Sequence, residues 1–236
     1  MPEWKNTFKL NVIDCDVFGR WKFSDILRHM QQAAEENAEE LGCGRRDMVP
    51  NGICWVLYRL KVAFESLPKL DDEVTITTWP SGLNGLFFLR KFRFEDANGV
   101  LIGEGVTTWV LFSLERRRVM RPSALPVPVP EIKDREVSMR EPAGLDVSAV
   151  ETVDTRRIYF SDLDMNGHMN NARYADWSLD LVDDMQRGAR GLQINFIAEG
   201  RLGDEVTLAK KVFDDGHIII EGKRNARTMF EAEIIP

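Results

Sequence analysis

The chain is poor in cysteine, has no long apolar run and carries no excess of positive charge. Only Cys15, Cys43 and Cys54 occur among 236 residues, and none lies in the second half. The count is odd, and no CxxC or Cys/His spacing appears, so neither a disulfide framework nor a zinc site is indicated. The three thiols read as reduced, small buried hydrophobes. No stretch approaches the ~18 apolar residues of a membrane-spanning helix. The most apolar piece, Ile53 to Tyr58, reads as a buried strand. The first residues lack the apolar core of an export signal, so the expectation is a cytoplasmic protein. A formal net charge of −7 argues against a general nucleic-acid binder and leaves room only for a local cationic patch. No serine has glycine two residues before it, and no P-loop or GxGxxG is present. Serine-hydrolase, NTPase and dinucleotide chemistry therefore lose their usual signatures.

What is present has an order. Thr7 to Asp14 roughly alternates and predicts a strand. Phe23 to Leu41 carries apolar residues at helical spacing without Gly or Pro, with Ser24 in a first-turn position and Gly42 as a stop. Four strand-like stretches follow: 53–64, 73–79, 86–94 and 100–113, with Asn98-Gly99 as a hairpin turn. The segment from Pro122 to Pro142 holds five of the ten prolines and reads as a linker. Then the order restarts: a strand over 156–160, a helix over 170–186, and four strands between Gly191 and Ile235, with Asp215-Gly216 marking a second hairpin.

The restart is visible residue by residue. Leu60-Lys-Val-Ala-Phe64 matches Leu192-Gln-Ile-Asn-Phe196. At the same offset of 132, Leu70-Asp-Asp-Glu-Val-Thr75 matches Leu202-Gly-Asp-Glu-Val-Thr207. Ahead of each helix, Asp16-Val-Phe-Gly19 lies on Asp164-Met-Asn-Gly167 at an offset of 148. The expected fold class is α+β: two tandem units, each an antiparallel sheet wrapped around a long helix. The expected boundaries are residues 1–120, a linker over 121–150, and 151–236.

The two copies differ where chemistry would sit. The first has Asp16, Phe18 and Arg20; the second has Asp164, Asn166 and His168. His168 can move a proton near neutral pH. Asp164 can orient an imidazole or attack a carbonyl, and Asn166 can hold a carbonyl or a water. Unpaired amides at the start of the following helix can face a developing oxyanion. The competing reading is an elaborate N-cap, since Asx residues are common at helix starts. His29, in a helical apolar pattern, and His217, after a turn, read as packed and surface residues.

The segment Asp162-Leu-Asp-Met-Asn-Gly-His-Met-Asn-Asn-Ala-Arg-Tyr174 resembles the signature of the plant and bacterial acyl-acyl-carrier-protein thioesterases. Trp55-Val-Leu-Tyr-Arg-Leu-Lys-Val62, Thr78-Trp-Pro-Ser-Gly-Leu-Asn-Gly85 and Trp109-Val-Leu-Phe-Ser-Leu-Glu-Arg-Arg-Arg118 extend the resemblance in order along the chain. It implies a double hot-dog fold, an acyl pocket in the first unit and catalysis in the second. The implied catalytic residues are Asp164, Asn166, His168 and Glu199. In many plant members a cysteine follows that glutamate; here the position is Gly200, which excludes a Cys/His mechanism there. The implied activity is hydrolysis of a fatty-acyl thioester, without metal or organic cofactor. The implied partner is an acidic acyl carrier protein. Trp55 is a candidate lining residue of the acyl pocket. Arg116, Arg117, Arg118 and Arg121 are candidates for docking the carrier, with Lys210, Lys211, Arg224 and Arg227 as a second surface. An acyl-coenzyme A thioesterase or dehydratase of the same fold, and a non-catalytic acyl-binding module, are the competing classes. Monomer and homodimer are both compatible with the sequence.

Overall fold

The apolar spacing of Phe23–Glu40 gives a helix, α1, whose Ile26, Leu27, Met30, Ala33, Ala34 and Ala38 are all buried. These positions form one stripe at three- and four-residue intervals, as a helix facing a core requires. Gly42, at φ +70°, takes the left-handed conformation that ends it. The computed structural model describes residues 2–132, 135, 137–184 and 188–236.

The strands of the first half are β1 (Trp4–Lys9), β2 (Ile53–Phe64), β3 (Glu73–Asn84), β4 (Phe87–Asp96), β5 (Leu101–Ser113) and the short β6 (Arg118–Val119). A four-residue helix, α2 (Arg45–Met48), sits between α1 and β2. The second half has β7 (Glu151–Arg157), α3 (Asn171–Leu179), β8 (Gly191–Phe196), β9 (Glu205–Val212), β10 (Ile218–Arg224) and β11 (Arg227–Ile235). All pairings are antiparallel, in the order β1-β3-β4-β5-β2-β8-β11-β10-β9-β7, with β6 on β5. The order reads the same from either end once each strand is exchanged for its counterpart. At the centre Lys61 pairs with Gln193, its own counterpart at the offset of 132. The two expected sheets are thus one continuous sheet, joined where the repeated motif meets itself.

A bulge between Leu57 and Arg59 shifts the alternation of β2. Leu57 before it and Leu60 and Val62 after it are all buried in one core. That core is shared: Leu60, Phe64 and Phe94 of the first half cluster with Leu192, Ile194 and Phe230 of the second.

Three expectations are corrected. The strand expected over 7–14 lies earlier, at Trp4–Lys9, and Val12–Asp14 forms a 3-10 turn closed by Asp14 Oδ2 accepting the Asn11 amide at 2.7 Å. The strand expected over 156–160 spans Glu151–Arg157 and gives way to a second 3-10 turn, Phe160–Asp162. It is an edge strand with little buried surface, so its polar sequence hides it. The helix expected over 170–186 is short, Asn171–Leu179. Asp180, Asp183 and Asp184 follow it, and acidic side chains disfavour a helix C-terminus. Residues 185 and 186 of that expectation lie outside the described residues.

Because one core spans both halves, calorimetry should show a single cooperative transition, with van't Hoff and calorimetric enthalpies equal. Ile194→Ala, beside the central pair, should cost about 2–5 kcal/mol of global stability. Two separated transitions, or a loss confined to one, would show that the halves unfold independently.

Candidate active site

The two loops ahead of α1 and α3 are built alike. In the second, the Gly167 amide donates to Asp164 O at 3.1 Å, and the Asp164 amide donates to His168 O at 2.7 Å. Gly167 stands at φ +76°, which closes the turn at no steric cost. Asp164 Oδ1 accepts the amides of Asn166 (2.8 Å) and His168 (3.2 Å), and Oδ2 accepts Asn166 Nδ2 at 3.2 Å. The carboxylate thus shapes the loop; its partners there are backbone amides and Asn166, and the imidazole is not among them. In the first loop Asp16 accepts the amides of Phe18 (2.8 Å) and Arg20 (3.0 Å) in the same way.

The loops diverge in their last polar residue. Arg20 folds back onto Asp16 Oδ2, at 2.9 Å from both Nε and Nη2, and stacks over Phe18. His168 points across to residues 199–201. The Met169 amide donates to Gly200 O at 2.8 Å, and His168 bridges Arg201 through the backbone. This brings His168 Nε2 to 3.2 Å from Glu199 Oε2. The same oxygen lies 3.2 Å from Arg201 Nη2 and 3.2 Å from Arg117 Nη2. Arg117 comes from the turn between β5 and β6 in the first half, where it holds φ +48°. The site therefore draws on both halves. Sequence reasoning missed Arg117 and Arg201 as partners of Glu199. Arg201 stands two residues from it, whereas nothing local links Arg117 to a carboxylate 82 residues away.

Two of the expected free amides at the start of α3 are capped. Asn170 caps the helix: its Oδ1 accepts the Ala172 amide at 2.9 Å and its O accepts that of Arg173 at 2.8 Å. Its own amide donates to Asp162 O at 2.8 Å. The capping reading holds for this segment, while His168, two residues earlier, remains directed at Glu199.

Gly200 is closely packed. A Cβ there would lie 2.6 Å from Ile158 Cδ1 and 3.1 Å from Met169 Cβ. Its backbone hydrogen-bonds the buried phenol of Tyr174, whose pKa burial pushes up to about 12. The three cysteines are all held as thiols. Burial raises Cys43 to about 11 and also raises Cys15 and Cys54, Cys54 being pushed further by the negative charge of Glu199. Among the described residues no cluster suited to a metal ion occurs. His29 is stacked on Phe8 at 4.0 Å and set against Trp21; His217 pairs with Glu233 at 3.3 Å.

Trp55 donates its indole N–H to Cys43 O at 2.8 Å and lines an apolar cavity of about 50 Å³ between α1 and the first half of the sheet. A larger cleft of about 580 Å³, walled by Pro122, Pro126, Pro128 and Pro130, shares Pro80, Phe88, Leu89 and Val129 with it. Of the arginine run, Arg116, Arg118 and Arg121 are exposed, while Arg117 is committed to Glu199. Of the alternative surface, Lys210 is tied to Asp183 at 2.8 Å, Arg224 bonds Asp204, and Lys211 lies over Phe213.

Residues 2–123 match the acyl-ACP thioesterase N-terminal domain and residues 147–233 the acyl-ACP thioesterase C-terminal domain. The chain belongs to the acyl-ACP thioesterase family. It is 25% identical over 181 residues to the chloroplastic acyl-[acyl-carrier-protein] hydrolase FATB2 of Cuphea viscosissima, covering 66% of this chain and 41% of that protein. It is 27% identical to the chloroplastic dodecanoyl-[acyl-carrier-protein] hydrolase of Cinnamomum camphora, covering 67% and 45%. The chain thus spans less than half the length of these curated relatives. The fold matches an acyl-ACP thioesterase from Bacteroides thetaiotaomicron with a TM-score of 0.92 at 24% identity, over 99% of this chain and 97% of that one. It also matches the 12:0-ACP thioesterase of Umbellularia californica, at 0.84 and 18% identity, over 100% and 97%.

Gly200→Cys should lower stability by about 1–3 kcal/mol, because the side chain overpacks against Ile158 and Met169. Denaturant midpoints of the two proteins test this; an unchanged or raised midpoint would show that the position has room for a thiol.

Proposed function

We propose that the protein hydrolyses fatty-acyl thioesters of acyl carrier protein, with His168 and Glu199 as the proton-handling pair. The observation that carries this reading is the 3.2 Å contact between His168 Nε2 and Glu199 Oε2, made by a loop whose counterpart instead closes on itself through Arg20. With Nε2 directed at Glu199, His168 Nδ1 takes a proton from a water as that water attacks the thioester carbonyl carbon. Glu199 stabilises the imidazolium that forms, as the carboxylate does in a catalytic triad. Arg117 and Arg201, each 3.2 Å from Glu199 Oε2, hold the carboxylate in place. The tetrahedral adduct collapses, the C–S bond breaks, and the imidazolium returns its proton to the carrier thiolate. Products are a free fatty acid and the carrier thiol. Asp164 is a positioning residue in this scheme, since its oxygens hold the amides that aim His168. Asn166 lies exposed at the turn and contacts the carbonyl or the water.

The organisation we infer is two hot-dog units, residues 1–120 and 151–236, joined by 121–150. The matching strand orders and the Lys61–Gln193 centre support it. The acyl tail enters the cavity beside Trp55. The carrier docks on exposed Arg116, Arg118 and Arg121, beside the turn from which Arg117 reaches Glu199. The relatives named above as acyl-carrier-protein hydrolases support the carrier as substrate.

His168→Ala should lower kcat roughly 10²–10⁴-fold with the fold intact by circular dichroism. Adding Glu199→Gln should cost little more, because the two act as one unit. Turnover near wild type in the His168 variant would remove this pair as the site. A second experiment separates the arginines. Reversing Arg116, Arg118 and Arg121 to Glu should reduce kcat/KM for a carrier-linked acyl chain, most strongly at low salt. Hydrolysis of a short synthetic thioester should stay near wild type. Arg117→Ala should instead lower kcat on both substrates. The reverse pattern would exchange the roles assigned to the two sets.

A further inference from the structure

The acyl cavity is apolar along Ala34, Ala38, Trp55, Phe88 and Trp109, yet two charged residues, Glu35 and Arg90, line it as well, and the Glu35 carboxylate accepts the Arg45 amide at 3.0 Å. Arg90 is only 8% exposed. Its Nη1 donates to Asn37 Oδ1 at 2.7 Å and to Thr78 Oγ1 at 3.2 Å. Both acceptors are neutral, and among the described residues Arg90 forms no ion pair. Buried charges are ordinarily paired, because leaving the charge without a counter-charge in an apolar interior is costly. Burial lowers the guanidinium pKa to about 10, which still leaves it charged at neutral pH.

We infer that Arg90 is a subsite for an oxygen atom carried near the far end of the acyl chain, so that the preferred substrates are ω-oxygenated acyl chains. The shared chemistry is an acceptor oxygen, supplied by a terminal hydroxyl or a terminal carboxylate. The inference rests on the acyl-thioesterase reading for the role of the cavity. It differs from that reading in what it measures, because Arg90 lies on β4, apart from the His168–Glu199 pair. An oxygen at the chain end adds an acceptor to the neutral pair Asn37 and Thr78; a terminal methyl adds none.

The test is binding of fatty-acid methyl esters, which needs no turnover and leaves no head-group carboxylate to occupy Arg90. Methyl esters of decanoic, dodecanoic and tetradecanoic acids, each ending at the far end in methyl, hydroxymethyl or carboxyl, displace a fluorescent fatty ester from the wild-type protein. At the best length an oxygenated end should bind about ten- to a hundredfold tighter than the methyl end, the range for a hydrogen bond to a charged group. A gain for hydroxyl identifies a neutral oxygen as the ligand, and a gain for carboxyl an anionic one; either supports the subsite. Arg90→Met should bring the ratio towards unity. Methyl ends binding as tightly at every length overturn the inference on wild-type protein alone, whether or not the variant folds. A preference that survives in folded Arg90→Met also overturns it. Failure to hydrolyse any carrier-linked chain would overturn the thioesterase reading without altering these binding ratios.

Discussion

The structure depends on the pairing of β2 with β8. A sheet of five strands leaves two edges, and an exposed edge invites pairing with another chain. Here one edge from each half meets the other, and the register is centred on Lys61 and Gln193. The meeting strands carry the same motif, so each contributes apolar residues of the same period to one face. Leu60 and Val62 stand opposite Ile194 and Leu192, all buried. A one-residue slip would turn those side chains to the wrong face. The junction thus fixes the register of everything outward from it, including the loop that carries Glu199 immediately after β8.

Against that symmetric frame, the two pre-helical loops show how one backbone device serves two ends. In both, an aspartate collects the amides of the residues two and four positions on, and a glycine with positive φ closes the turn. The frame costs no asymmetry until the last side chain. An arginine there is held by the loop's own aspartate and is spent on stability. A histidine is held by backbone alone, so its ring is left to meet Glu199. The first-half position corresponding to Glu199 is Leu67, which packs against the shared core. A second carboxylate–imidazole pair is thereby absent from the first half at both of its members.

Much of this was legible in the sequence, and the exceptions have physical causes. The helix over 23–40 announced itself through an uninterrupted apolar stripe and a terminal glycine. The repeat was visible because strands that meet a common core must keep the same apolar period. The edge strand β7 was misplaced because an edge needs little burial and carries little pattern. The short α3 was overextended because the apolar spacing persisted into residues whose acidic neighbours oppose a helix end. His168 stood out by composition, as a titratable residue where its counterpart is an arginine. Arg117 did not, since its partner lies 82 residues on and only the sheet brings them together. Local sequence reports local chemistry; a contact made by topology leaves no local trace.

The arginine run after β5 shows why that distinction matters for the proposed reaction. Four arginines within six residues read as one patch. The turn separates them: positive φ at Arg117 sends one guanidinium toward Glu199 while Arg116, Arg118 and Arg121 stay exposed. Exposed ion pairs contribute little to stability, so the Arg117–Glu199 contact is poorly explained as a fold-stabilising bridge. Its consequence is electrostatic and local. With Arg201 it surrounds the carboxylate that faces His168, in a site open to solvent. In the proposed docking, an acidic carrier on the neighbouring arginines would otherwise bring negative charge close to that carboxylate. Screening limits exposed charges to about 8 Å at physiological salt, so the compensating cations have to stand at the carboxylate itself. Arg117 meets that condition, and its place beside Arg116, Arg118 and Arg121 would, under the proposed docking, make carrier approach and carboxylate alignment properties of one short segment of chain.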